Sequence, residues 1–230
     1  MSSHDFLSTL SSFSSNPCFV LDKAIPLQKY VPIDLSVNNH HLDSFNLESS
    51  VAWEAYITNY CKVRNAQVAF GGYLEKRNIY KRSNHFNAAH LDSERNIHLG
   101  IDLWTSVETP IFVPLDGVIH SYANNTNFGD YGPTIILKHE INGFTFHTLY
   151  GHLSMESIEN KKIGQVYKTG DHLATLGSSA VNGDYAPHLH FQIIIDIENY
   201  HGDYPGVCSQ SNVTHYQTNC PDPNLLLRLA

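Results

Sequence analysis

The 230-residue sequence contains no apolar run long enough to span a membrane. Its first residues, Met1-Ser2-Ser3-His4-Asp5-Phe6, lack the basic start, apolar stretch and small-residue cleavage site of a secretory signal. Read from Met1, the chain is expected in the cytoplasm. Cations are scarce: 14 Lys and Arg stand against 22 Asp and Glu, a formal net charge of −8. That balance argues against nucleic acid or an anionic membrane surface as the main partner. Cysteine is scarce too. Cys18, Cys61, Cys208 and Cys220 form no Cys-x-x-Cys pair, which disfavours a thiolate metal site and leaves free thiols as the expectation in a reducing compartment. Cys208 and Cys220 flank a polar loop and could pair in an exported protein. There is no His-Glu-x-x-His, and hence no glutamate base of the common helical metalloprotease kind.

What the chain has in quantity is histidine, fifteen in all. Most are expected to be surface or hydrogen-bonded core residues. Three short apolar segments are different, because their histidines have chemically suited neighbours: His98-Leu99-Gly100-Ile101-Asp102, Tyr150-Gly151-His152-Leu153-Ser154, and Pro187-His188-Leu189-His190-Phe191. A catalytic zinc takes three protein ligands and an open position. Two histidines and an aspartate would fill that need, leaving two histidines to move protons or steady an oxyanion.

The length allows one good core with an extension rather than several domains. Up to about residue 66 the chain reads as a small, partly helical N-terminal extension, followed by a main domain over residues 67–230. Phe6, Leu7, Leu10 and Phe13 have helical spacing within Ser2 to Asn16. From about Ser49 to Arg64, Val51, Ala52, Ala55, Tyr56, Asn59 and Val63 fit one helix face, with Ser49 or Ser50 as cap. Beyond Ile97, glycine and proline punctuate short β-segments. Residues 134–139 and 144–150 flank Asn142-Gly143, the strongest short hairpin signal. No helical period interrupts Ile97 to Ile195, so the fold class is mainly β, a compact antiparallel body of barrel-like or sandwich form.

Strand geometry constrains the three segments. His188 and His190 share a face about 6.6 Å apart, which suits one ligand and one neighbour across the substrate. His98 and Asp102 would lie roughly 13 Å apart on a straight strand, so the backbone must bend, and Gly100 is the natural place. His152 arrives from another strand. His139 and His147 read as structural or supporting residues on strands near the site, and His120 as a surface residue. Asn38, Asn39, His40, His41 and Asp43 form a polar cluster that could reach the metal from the extension and limit access to it.

These motifs, taken in order, resemble the M23 family of zinc metallopeptidases, the lysostaphin-type endopeptidases with their duplicated-hybrid-motif fold. The resemblance runs over roughly Ile97 to Ile195 and rests on His98-x-x-x-Asp102, the Asp116-Gly117-Val118 turn, Tyr150-x-His152-Leu153-Ser154, the repeat Gly164-Gln165-Val166 and Gly170-Asp171-His172-Leu173, and Pro187-His188-Leu189-His190-Phe191. It implies one zinc per chain on His98, Asp102 and His190, with His152 and His188 serving catalysis. It also implies hydrolysis of a peptide bond in a peptide or peptidoglycan-like substrate, including glycine-rich peptides. The flanking residues 72–80 and 220–225 resemble a leaderless branch, in which the module also sits inside larger proteins beside kinase-like and aminotransferase domains; that branch implies a substrate other than wall peptidoglycan.

There are departures from the pattern. The stretch Gly177 to Pro187 lacks the family's small Thr-Gly-x-Ser/Thr run and puts Asp184 and Tyr185 at the rim of the cleft. The tyrosine that wall-cleaving members carry shortly before the first ligand is missing; Tyr80, His90 and Arg95 are the candidates to replace it. The alternative function is a zinc-bearing but inactive module that binds peptides or regulates a partner, although none of the five site residues has been lost.

Overall fold

The computed structural model describes residues 6–8, 10, 18–83, 86 and 93–229. Twelve strands are present among them: β1 (Tyr30–Pro32), β2 (Val68–Gly71), β3 (Arg95–His98), β4 (Ile101–Trp104), β5 (Pro110–Phe112), β6 (Gly117–Asn125), β7 (Gly132–Ile141), β8 (Phe144–Gly151), β9 (Val166–Tyr167), β10 (His172–Thr175), β11 (His188–Ile194) and β12 (Val207–Ser209). Eight of them form one sheet in the order β1-β2-β4-β11-β8-β7-β6-β9. Two small sheets, β10-β5 and β12-β3, complete the body. The protein is mainly β and its pairings are antiparallel except β1 with β2. The large sheet ends at β1 and β9 and stays open rather than closing into a barrel.

Local chemistry explains the elements that carry the site. Asn142 and Gly143 both take positive φ, 50° and 80°, and join β7 to β8 by a two-residue turn whose twist matches the strands. The apolar run from Ile97 to Leu103 is broken at Gly100, so that β3 pairs with β12 while β4 joins the large sheet. A β-carbon at Gly100 would lie 2.7 Å from the His190 ring and from the Phe191 carbonyl oxygen. Only glycine lets the chain turn this corner against β11.

Period-two alternation then sorts the side chains. Ile101 and Leu103 of β4 and Leu189, Phe191 and Ile193 of β11 join Ile135, Leu137, Phe146 and Tyr150 in the main apolar core. The intervening residues, Asp102 on β4 and His188, His190 and Gln192 on β11, therefore share the opposite face.

The first part of the chain packs on that body. α1 (Ser50–Val63) is capped by the Ser49 side chain, which accepts from Ala52 N, and it buries Trp53, Ile57 and Cys61. These join a second core with Ala69, Trp104, Tyr185 and Val207. β1, from before the expected boundary at residue 66, pairs with β2 beyond it. Within the expected first helix, residues 6–8 and 10 are helical, with Phe6 and Leu10 buried in the main core; its remaining residues, Phe13 included, lie outside the described residues. Near the C-terminus stand α2 (Val213–Asn219) and α3 (Asn224–Leu227). Cys61, Cys208 and Cys220 are buried thiols without a disulfide. No helix among the described residues is long and apolar enough to cross a membrane.

Candidate metal centre

β4 and β11 are neighbours in a register that sets His190 directly opposite Asp102 and His188 opposite Trp104. β8 lies on the other side of β11, with Gly151 opposite His190. The strand ends there, and His152 takes a left-handed φ of 63° that turns its side chain toward the same cavity. The corner at Gly100 brings His98 back onto Asp102. All five sequence-derived site residues thus meet in one place. His98, Asp102 and His190 offer ligand atoms within 4.8 Å of one another, and among the described residues this is the sole group of three or more such side chains placed to hold a metal ion.

Each histidine is oriented by an oxygen that accepts from one ring nitrogen, which fixes the tautomer. His98 Nδ1 donates to Gly72 O at 3.0 Å, leaving Nε2 bare. His190 Nε2 donates to Gln192 Oε1 at 2.9 Å, leaving Nδ1 bare. The Gln192 amide is itself fixed, because its NH₂ donates to Pro205 O and to Cys220 Sγ. His152 Nδ1 donates to Asn182 O and His188 Nδ1 to Ala186 O, both at 2.8 Å.

Three bare acceptors consequently converge. His98 Nε2 lies 2.9 Å from His190 Nδ1, and each of these nitrogens lies 3.2 Å from Asp102 Oδ1. Lone pairs facing one another at such separations in a buried site repel unless a cation lies among them. Burial pushes the His98 imidazole down to about 4. Burial alone would raise the Asp102 carboxyl, but the neighbouring His98 and Arg77 outweigh it and hold the group well below the usual carboxylate range. Two imidazoles and one carboxylate are a donor set that zinc accepts, so the residues fit a metal.

His152 and His188 form the second part of the site. Their ring centroids are 4.1 Å apart, and His188 Nε2 comes within 3.7 Å of Asp102 Oδ1. Burial pushes His188 down to about 4 and holds His152 well below its ordinary value. The cavity around the five residues has a volume of about 190 Å³. Aromatic rings dominate its wall: Trp104 stacks on His188 at 3.9 Å, Tyr185 lies against both His152 and His188, and Tyr131 lies against His152 and His190. Of the two residues expected at the rim, Tyr185 lines the cavity and is buried, whereas Asp184 is not part of its wall. A clasp sits next to Tyr185: Arg82 donates to the Asp184 backbone oxygen and carboxylate, Ser50 Oγ donates to Asp184 Oδ1, and the guanidinium lies over the rings of Phe128 and Tyr185.

Several expectations are corrected. Asn38, Asn39, His40, His41 and Asp43 do not line the cavity; Asn39 accepts from His41 N at a short 3₁₀ turn, and His40 and Asp43 form an exposed pair. Among the described residues before β3, Arg77, Ile79, Tyr80 and Phe86 reach the cavity. His139 is fully buried, hydrogen-bonded to Asp116 O and Thr148 Oγ1, and neither it nor His147 lines the cavity. His120 is half-buried and stacked on His201. Of the three candidates for a replacement tyrosine, Tyr80 and Arg95 line the cavity, while His90 lies outside the described residues.

Sequence reading missed Arg77, Tyr131 and Gln192. Gln192 had a signal, since two residues beyond His190 on a strand is the same face. Arg77 and Tyr131 had none.

Fold and centre together define a mainly β protein with a buried site of imidazoles and a carboxylate suited to a metal ion. Residues 96–201 match Peptidase family M23. The chain is 32% identical over 99 residues to an uncharacterized metalloprotease of Haemophilus influenzae, an alignment covering 43% of this chain and 19% of that protein. It is 31% identical over 99 residues to the peptidoglycan DD-endopeptidase ShyA of Vibrio cholerae, covering 43% and 20% respectively. The catalytic domain of the antimicrobial peptidase lysostaphin from Staphylococcus simulans aligns at 24% identity and a TM-score of 0.36, over 53% of this chain and 80% of that domain. The matched stretch spans about a fifth of the length of these curated relatives.

Proposed function

We propose that the protein is a zinc-dependent metalloendopeptidase that hydrolyses a peptide bond, with His98, Asp102 and His190 holding one zinc and His152 and His188 serving the reaction. The observation that carries this reading is the convergence of the bare His98 Nε2, His190 Nδ1 and Asp102 Oδ1 beside two further neutral imidazoles in one cavity. When bound, zinc supplies a Lewis acid for the scissile carbonyl and lowers the pKa of a water. His152 and His188 each keep one nitrogen bonded to a backbone oxygen, so the other is available to accept a proton from the attacking water and return it to the leaving amine. Tyr131 OH, 3.3 Å from His190 Nε2, braces the ligand face.

The relatives supply a substrate class to test. ShyA is named for a peptidoglycan DD-endopeptidase activity, so peptidoglycan stem peptides and glycine-rich peptides are the substrates to test first. Purified protein should contain about one zinc per chain and release new amino termini from one of these substrates. Loss of cleavage on chelation and its return with zinc supports the reading. Zinc at full occupancy with no cleavage of any peptide supports instead an inactive module that binds peptides. Retention of full zinc by a His98→Ala, Asp102→Ala double variant defeats the site assignment.

A further inference from the structure

Asp102 uses its two oxygens in different directions. Oδ1 faces His98, His188 and His190, whereas Oδ2 accepts from Arg77 Nη1 at 2.6 Å. The same guanidinium donates through Nε to Glu75 Oε2 at 2.6 Å, and Glu75 Oε1 accepts from Leu35 N at 2.9 Å. Arg77 and Asp102 are both almost wholly buried, so the pair is little screened by water. Arg77 stands outside residues 96–201, the stretch matched by the family. Backbone bonds hold it there: Arg77 N donates to Asn96 O, His98 N to Glu75 O, and Leu74 N to His98 O. The space is tight as well, for a β-carbon on Gly72 would collide with Arg77 Nη2.

We infer that Arg77 is a positioning residue of the metal centre, which commits Asp102 Oδ2 and leaves Oδ1 alone for the ion. This inference rests on the metal reading above. It has two physical consequences. A carboxylate with one oxygen engaged by a guanidinium N–H would offer a metal a single free donor atom, which would keep the coordination number low and a position open. A fixed positive charge next to the ligand also weakens the hold on the cation and leaves the cation more electron-poor. Glu75 moderates the effect, because it draws the same guanidinium the other way. The segment from Gly72 to Arg77 also supplies the carbonyl that orients His98, and so belongs to the centre although it precedes the matched stretch.

The test uses cobalt in place of zinc and reads absorption and release to a chelator, with no need for turnover. Arg77→Met should free Asp102 Oδ2, giving the weaker visible absorption of a five-coordinate cobalt and release slowed by about tenfold or more, the scale on which groups around metal ligands act. Arg77→Lys, which keeps the charge and one donor, should stay close to wild type in spectrum and release. Glu75→Gln removes the negative charge that draws the guanidinium away from Asp102 and should speed release; this variant also covers the case in which Arg77→Met does not fold. Opposite shifts in the two variants support the inference. Unchanged spectra and release in folded Arg77→Met, or unchanged release in Glu75→Gln if the former does not fold, overturn it. Wild-type protein that takes up no stoichiometric cobalt overturns the metal reading itself and this inference with it.

Discussion

The imidazole of His152 lies 4.1 Å from that of His188, centroid to centroid and inclined at 37°, although the two arrive from different strands. Neither belongs to the trio whose acceptors converge, and each is anchored by a separate backbone oxygen. Replacing either by alanine should therefore leave zinc content and thermal stability near wild type while lowering turnover by about 10²-fold or more. His190→Ala should instead release the metal and the folding stability coupled to it. Equal metal loss from His152→Ala and His190→Ala would require His152 to be a ligand.

The corner at Gly100 makes a sharp prediction. Gly100→Ala would press a methyl group against the His190 ring and the Phe191 carbonyl at 2.7 Å. Overpacking of this kind costs about 1–3 kcal/mol, and here it displaces a proposed ligand. Denaturant unfolding together with elemental analysis should show both lower stability and lower zinc content. A variant with wild-type metal content would show that β11 can move aside.

Acid should destabilise the protein through a histidine outside the candidate centre. His139 is buried, and its burial pushes it down to about 4 against an ordinary value near 6.5. It is neutral in the folded state, so the unfolded chain binds more protons between those two values. Its contribution is fully present above about pH 6.5 and is lost as pH falls toward about 4, a total of about 3 kcal/mol. Urea unfolding across this range should show the decline, and His139→Gln should flatten it. An equally steep profile in that variant would place the proton uptake elsewhere.

The clasp next to Tyr185 predicts a change in access. Arg82→Ala removes the hydrogen bonds to Asp184 and the cation over the rings of Phe128 and Tyr185. Tyr185 would then be held less firmly over His152 and His188, and diethyl pyrocarbonate should modify those histidines faster than in wild type, while exposed His40 serves as the internal reference. Equal rates in both proteins would show that the clasp is not what shields the site.

Much of this was legible in the chain itself. Asn142-Gly143 located a hairpin because few residue pairs accept its dihedral angles. His98 and Asp102 could only meet through a bend, and Gly100 supplied one. The five site residues stood out because histidine and aspartate are poor choices for apolar strands unless they have work there. The register that sets His190 against Asp102 was not legible, since any even shift of β11 keeps the same residues on the same face. Nor was Arg77, 25 residues from Asp102, or Gly72, 26 residues from His98, or Tyr131, 59 residues from His190. Contacts at those separations follow from how the chain closes on itself and leave no local pattern.

The place of β11 in the large sheet bears on how the protein is made. β1, β2 and β4 form one flank and β8, β7, β6 and β9 the other; within that sheet the two flanks are bridged solely by β11. Until synthesis has passed Ile194, β4 and β8 present edges with no strand to pair them, and such edges are templates for association with other chains. Late closure over a long stretch of chain is also slow. The strand that completes the sheet is also the one bearing His188 and His190, so a chain that ends before β11 lacks two of the five site residues together with the closure of its sheet.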